Sequence, residues 1–234
     1  MRNYTEIAAQ VAARARERDE RLQGFAASSH RLARTLKDVA REGRVEVQRR
    51  EEVREVISAI RIPGFFPTPR PVIELMLEMA EVKSGMEVLE PEAGAGHIAV
   101  ELRKLGCCLT LIERNYGLCE VLRKQGFDQI CADFLEWTTE MRFDRIIMNP
   151  PFERLQDIDH VLHAHQFLAV GGVQVAIMGA GAFFRQDRKA AAFREWLDGR
   201  GEYERLLSGT FSDSDRPTGA ETYIVTLFKE EELS

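Results

Sequence analysis

The chain has 234 residues, 44% of them hydrophobic and 30% charged, with a formal net charge of −6. That is enough chain for one domain with a sizeable core and an appendage, and no apolar run reaches the roughly 18 residues that a membrane helix needs. The first residues lack an apolar stretch, so no secretory signal is expected, and the cysteines (Cys107, Cys108, Cys119, Cys131) form no CxxC pair, which predicts buried, reduced thiols in a cytoplasmic protein.

The charge is unevenly spread. Residues 1–62 carry 14 Lys/Arg against 10 Asp/Glu, and residues 63–234 carry 18 against 28. A basic arm on an acidic body can reach phosphates. The same pattern suits a solvated helix laced with i,i+4 ion pairs. Within this arm Tyr4, Ile7, Val11 and Ala15 recur at helical spacing. Gly24 and Gly43 break the pattern, and Ser28 or Ser29 can cap a second helix. Val53, Val56, Ile57 and Ile60 then form an i, i+3, i+4, i+7 stripe. Residues 1–62 are therefore predicted to be a helical N-terminal extension. Its stripe needs a cover: the body, a second copy in a homodimer, or a partner protein.

From residue 63 the texture changes. "PGFFPTPRP" (63–71) is a proline-stiffened loop, and Pro71 suits the first turn of a helix over 71–82. Short apolar runs then alternate with helical stretches. Strands are predicted at 86–89, 108–112, 129–131, 143–148, 173–178, 203–207 and 222–228. Helices are predicted near 97–105, 115–125, 157–168 and 188–199. Such alternation argues for an α/β domain over 63–234 with a mostly parallel sheet. The last two strands have no helix between them, so they are predicted to pair antiparallel at one edge.

Four strand exits carry the chemistry. In "VLEPEAGAGHIA" (88–99), Glu90 ends a strand, and Gly94 and Gly96 make a turn into a helix, where backbone can approach a ligand closely. A GxG turn alone equally suits a nicotinamide site, although Ala99 stands where that fingerprint has its third glycine. A carboxylate beside the turn repels pyrophosphate and attracts an ammonium or sulfonium. In "LTLIERN" (109–115), Glu113 can accept both hydroxyls of a ribose or simply cap the next helix. In "CADFLEW" (131–137), Asp133 can accept from an adenine amino group while Phe134 covers the ring. Alone, Asp133 would read as a helix cap.

The fourth exit is "RIIMNPPFERL" (145–155). Two prolines cannot continue a strand ladder. The Asn149 amide oxygen and the Pro150 carbonyl can both accept from an exocyclic NH₂. Pro151 stiffens the corner, and Phe152 can stack on the flat group carrying that NH₂, a contact worth about 1–3 kcal/mol per base.

His160, His163 and His165 in "DHVLHAHQF" match no standard zinc spacing, so no metal is expected. Asp157 and Asp159 read as starting that helix. Phe183, Phe184 and Arg185 either line a target pocket or pack on the body. "SDSDRPTG" (212–219) reads as a loop over the substrate.

In combination these motifs resemble the class I S-adenosylmethionine-dependent methyltransferases, in particular amino-methyltransferases of the N6-adenine DNA type with an NPPF or NPPY signature. The resemblance covers about residues 63–234. It implies a Rossmann-like, seven-stranded, mostly parallel sheet with an antiparallel last strand. It also implies that Phe66, Thr68 and Pro69 line the methionine side of S-adenosyl-L-methionine. Glu90, Gly94 and Gly96 match the first cofactor motif, Glu113 the ribose acid, Asp133 and Phe134 the adenine contacts, and Asn149, Pro150, Pro151 and Phe152 the catalytic motif. The expected reaction is methyl transfer to N6 of adenine in DNA. Similar NPP signatures occur in guanine-N2 RNA and protein-glutamine methyltransferases, so RNA (guanine-N2 or adenine-N6) and protein glutamine stay open as substrates. An inactive cofactor-binding module acting through the N-terminal helices is the alternative of another class. Only about 20 residues separate the predicted fourth and fifth strands, which leaves no room there for the separate target-recognition domain of many DNA-modifying relatives.

Overall fold

The computed structural model describes residues 67–207 and 221–231. The predicted N-terminal extension, Phe66 and the 212–219 loop lie outside the described residues. Within them a seven-stranded sheet is flanked by helices. In chain order the elements are α1 (Arg70–Met79), β1 (Glu87–Glu90), α2 (His97–Lys104), β2 (Cys108–Glu113), α3 (Tyr116–Lys124), β3 (Gln129–Cys131), β4 (Phe143–Met148), α4 (Gln156–His165), β5 (Leu168–Gly179), α5 (Gly181–Phe184), α6 (Arg188–Leu197), β6 (Gly201–Arg205) and β7 (Thr222–Phe228). The strand order is β3-β2-β1-β4-β5-β7-β6. The first five strands run parallel, and β7 runs antiparallel between β5 and β6.

The helix starts follow from local chemistry. Pro71 sits in the first turn of α1 and Pro69 is its N-cap, where a missing N–H costs nothing. The Asn115 side chain caps α3 by accepting from Leu118 N at 3.2 Å, and Asp187 caps α6 by accepting from Ala190 N at 3.1 Å, each satisfying an orphan donor.

Side chains alternate strictly across the central strands. Leu89, Ile146, Met148, Ala176, Met178 and Val225 face one layer, where they meet α4 and α6. Val88, Ile147, Val175, Ile177 and Ile224 face the other, where they meet α1 and α2. A smaller cluster of Ala93, Ala99, Leu111, Leu122 and Phe127 seats α3 beside α2. Burial on both faces explains why "IIM" is apolar without a break. Each Val, Leu, Ile or Met among them contributes about 1.5–3 kcal/mol by leaving water.

Three expectations are corrected. β5 begins at Leu168, not 173, because Leu168 pairs with Phe143 before a register shift carries the ladder past Gly171 and Gly172 to Arg145–Val173. The two glycines fall in the irregularity between these paired stretches. The short α5 was not foreseen. Cys119 and Cys131 are joined in a disulfide with Cα atoms 6.2 Å apart, Cys131 and Cys108 are exposed, and only Cys119 is buried. The buried, reduced thiols expected from spacing therefore give way to a pairing made by α3 folding over β3. Among the described residues no helix is long and apolar enough to cross a membrane.

Candidate active site

The carboxyl ends of β1, β2, β3 and β4 open on one cleft of about 590 Å³, a volume ordinary for a small-molecule site. It lies where the chain reverses direction across the sheet, between β1 and β4, the usual ligand position in open α/β sheets. Glu90, Gly94, Glu113, Asp133, Phe134, Asn149, Pro151 and Thr68 all border it. The structure thus brings together residues from all four exits singled out above.

The glycine turn is tied down from three sides. Ala93 N donates to Ile112 O at 2.9 Å. Gly94 N donates to Glu113 Oε2 at 2.8 Å. Gln125, at the end of α3, donates from Nε2 to Ala95 O at 2.7 Å. Glu113 also accepts from Asn115 N at 2.7 Å. This carboxylate is therefore an organiser of the turn as well as a wall of the cleft, and Gln125 is a supporting residue the sequence did not reveal.

Gly94 and Gly96 divide their work. Both have positive φ, 56° and 84°, a region costly for other residues. Gly94 borders the cleft. Gly96 lies behind it, where an added Cβ would stand 2.8 Å from Leu122 Cδ2. Its role in this structure is close packing of α2 on α3.

The acids are crowded. Glu90 is 2% exposed, and its Oε2 has no hydrogen-bond partner. Burial, then the nearby Glu92 and Glu113 charges, push its carboxyl well above the usual carboxylate range. Burial likewise raises Glu113, against the lowering effect of the Asn115 and Gly94 amides. Asp133 accepts from Leu135 N at 3.1 Å, as a cap should, and meets Arg114 at 3.4 Å on the rim. The cap reading and the cleft position hold together.

At the β4 exit, Asn149 Nδ2 donates to Thr68 Oγ1 at 2.9 Å. That bond joins residues 81 positions apart and holds the amide at the cleft wall. Pro150 is buried and Pro151 half-buried at the cleft wall. Phe152 is half-buried against the cluster of Val72, Val175 and Ile177, with Gly179 beneath it: a Cβ there would come 3.2 Å from Phe152 Cβ. Phe134, 2% exposed, meets His163 edge-on at 4.8 Å. It forms the cleft floor, with most of its ring committed to the core. Pro69 is the N-cap of α1, next to Thr68 at the cleft.

The three histidines go separate ways. His160 Nδ1 bonds Glu92 Oε1. His163 Nε2 donates to Trp137 O at 3.0 Å. His165 lies edge-on to Trp196 at 5.1 Å, and burial lowers its pKa to about 4. Glu92 and His160 are site residues missed in the sequence. The only hint was a second glutamate two positions after Glu90. Asp157, on the first turn of α4, accepts from Gly179 N at 2.9 Å and clamps the end of β5. Burial raises it to about 6.

No protein-family profile matches the chain. Over 92 residues it is 29% identical to a type II methyltransferase of Paramecium bursaria Chlorella virus XZ-6E, a match covering 38% of this chain and 24% of that protein. Among solved structures, it is similar to the type I restriction-modification system methyltransferase subunit from Streptococcus thermophilus. The TM-score is 0.59 at 22% identity, covering 72% of this chain and 45% of that one. It is also similar to a dimethyladenosine transferase from Plasmodium falciparum, with a TM-score of 0.54 at 17% identity, covering 71% and 64% respectively. At these identities the structural likeness is one of fold, and the fold is that of class I methyltransferases. The chain spans about a quarter of the length of its viral relative and under half of the bacterial subunit.

Proposed function

We propose that this chain is an S-adenosyl-L-methionine-dependent methyltransferase acting on the N6 amino group of adenine in DNA. The carrying observation is that Asn149 and Pro151 border the same cleft as Glu90 and Glu113. An acceptor for an exocyclic amine thus adjoins a site for an amino-acid-bearing nucleoside. The likeness in sequence to a type II methyltransferase supports the same reading.

The residues present fit that cofactor. A buried carboxylate with an unpartnered oxygen, Glu90 Oε2, calls for a positively charged donor group. Glu113 is proposed to accept from the ribose hydroxyls, and Asp133, with Phe134 beside it in the cleft lining, to meet the adenine. Phe66, Thr68 and Pro69 are proposed for the methionine side. When bound, the cofactor supplies a methyl group activated on a sulfonium. The chain's own work is positioning. Asn149 Oδ1 and the Pro150 carbonyl accept from the adenine NH₂, which localises the nitrogen lone pair. Pro151 stiffens the corner, and Phe152 provides an aromatic face for the base. An adenine within a duplex must be flipped out to reach them, at a cost of a few kcal/mol. The attacking nitrogen sheds its proton to solvent after transfer. The basic segment 1–62 is proposed to meet the DNA backbone or a partner protein.

The test is transfer of labelled methyl to separate pools of duplex DNA, single-stranded DNA, RNA and protein, followed by identification of the modified residue. N6-methyladenine from a DNA pool is expected. Asn149→Ala should nearly abolish turnover and leave cofactor affinity within a few-fold. Label confined to RNA or protein would overturn the DNA assignment, and equal loss of turnover and affinity would overturn the division of roles.

A further inference from the structure

Glu92 belongs to the cleft wall but has no part in the scheme above. It sits in the turn after β1, and its two carboxylate oxygens have different fates. Oε1 is bound by His160 Nδ1, and Oε2 is buried with no partner. His160 is itself 2% exposed and lies beside Phe134, ring centroids 6.1 Å apart. Glu92 is therefore held from behind and cannot swing out to water. The result is a fixed carboxylate in the cleft wall, which acts on whatever fills the cleft through its charge.

Its neighbours are also acids. Glu92 and Glu113 each act electrostatically on Glu90, Glu92 acts on Glu113, and Asp133 acts on Glu92. The cationic side chain on this wall, Arg114, is engaged with Asp133 at the rim. Charges packed this way repel in a low-dielectric site. A ligand carrying positive charge relieves that repulsion, and a neutral ligand of the same shape does not.

We infer that Glu92, held by His160, is a specificity-determining residue that makes the cleft favour the cationic methyl donor over its neutral product. The inference rests on the function proposed above. Its chemical basis balances simply. The carbon–sulfur bond to the methyl breaks with its electron pair staying on sulfur, so the sulfonium becomes a neutral thioether. The new carbon–nitrogen bond uses the amine lone pair, and the positive charge leaves as a proton from the product nitrogen. Glu92 thus attracts the ligand before transfer and loses that attraction afterwards, which favours product departure.

The experiment is calorimetric titration of the full chain and Glu92→Gln with three probes. S-adenosylmethionine and sinefungin (an amine-bearing carbon in place of the methylsulfonium) are cationic. S-adenosylhomocysteine is neutral overall. Loss of one negative charge from the cleft wall is expected to weaken both cationic probes about ten- to a hundredfold, with the neutral probe within about twofold. Glu92→Asp, which keeps the charge, should retain most of the selectivity and guards against a misfolded glutamine variant. Equal weakening of all three probes, or no change, would overturn the inference and leave the cofactor site standing. If the unmodified chain binds none of them, the cofactor reading itself fails and this inference with it.

Discussion

Replacing Gly96 by alanine separates a packing role from a ligand role. Two costs follow from its position. At φ 84°, a Cβ carries about 1–2 kcal/mol of left-handed backbone strain. That Cβ would also stand 2.8 Å from Leu122 Cδ2, and Leu122 is fully buried, so its methyl group has no open space to move into. Overpacking a closed core costs about 1–3 kcal/mol. Gly96→Ala should therefore lose about 2–5 kcal/mol in urea denaturation. Gly126→Ala is the internal control: its φ is 78° and nothing lies within 4 Å of the added Cβ, so only the backbone cost, about 1–2 kcal/mol, applies. Adding Leu122→Ala to Gly96→Ala should show a favourable coupling of about 1 kcal/mol, because the truncated side chain no longer meets the new methyl. Ligand affinity of folded Gly96→Ala should stay within about twofold. A packing role for Gly96 is refuted if Gly96→Ala and Gly126→Ala match within about 0.5 kcal/mol, or if ligand affinity falls while stability does not.

Two further perturbations test the site and its support. Thr68→Val removes the acceptor that holds Asn149 Nδ2 at 2.9 Å. At about 1 kcal/mol for a net hydrogen bond, the single-turnover rate at saturating cofactor should fall about fivefold, and Thr68→Ser should restore it. An unchanged rate at saturating cofactor would show that this bond does not position Asn149. Asp157 has a folded pKa of about 6 against an ordinary 3.8, so the folded state binds its proton more tightly than the unfolded state does. The stability from this group is full below about pH 4 and is lost as pH rises through about 6, a swing of about 3 kcal/mol at 1.36 kcal/mol per pH unit. Asp157→Asn should flatten the stability–pH curve over that window relative to the unmodified chain. Parallel curves would show that burial does not set this group's proton affinity.

Much of this molecule is legible along the chain because its signals are local. The apolar runs that become β1, β2, β3, β4 and β7 end within a residue or two of where a reader of the sequence would end them. Alternation and proline placement act on neighbours in sequence, and each strand is buried enough to need them. The acids and the amide at the strand exits are legible for the same reason: an exit follows its own strand. Contacts across the fold are not legible. Nothing near Glu92 announces His160, 68 residues away, nor does Thr68 announce Asn149. The burial of Phe134, the seating of Gly96 on Leu122 and the joining of Cys119 to Cys131 depend on how helices lie against the sheet. Helix packing is decided by the sum of many weak contacts between distant segments. Which groups arrive at the cleft is written locally along the chain; which of them border it and which hold the others in place follows from packing between distant segments.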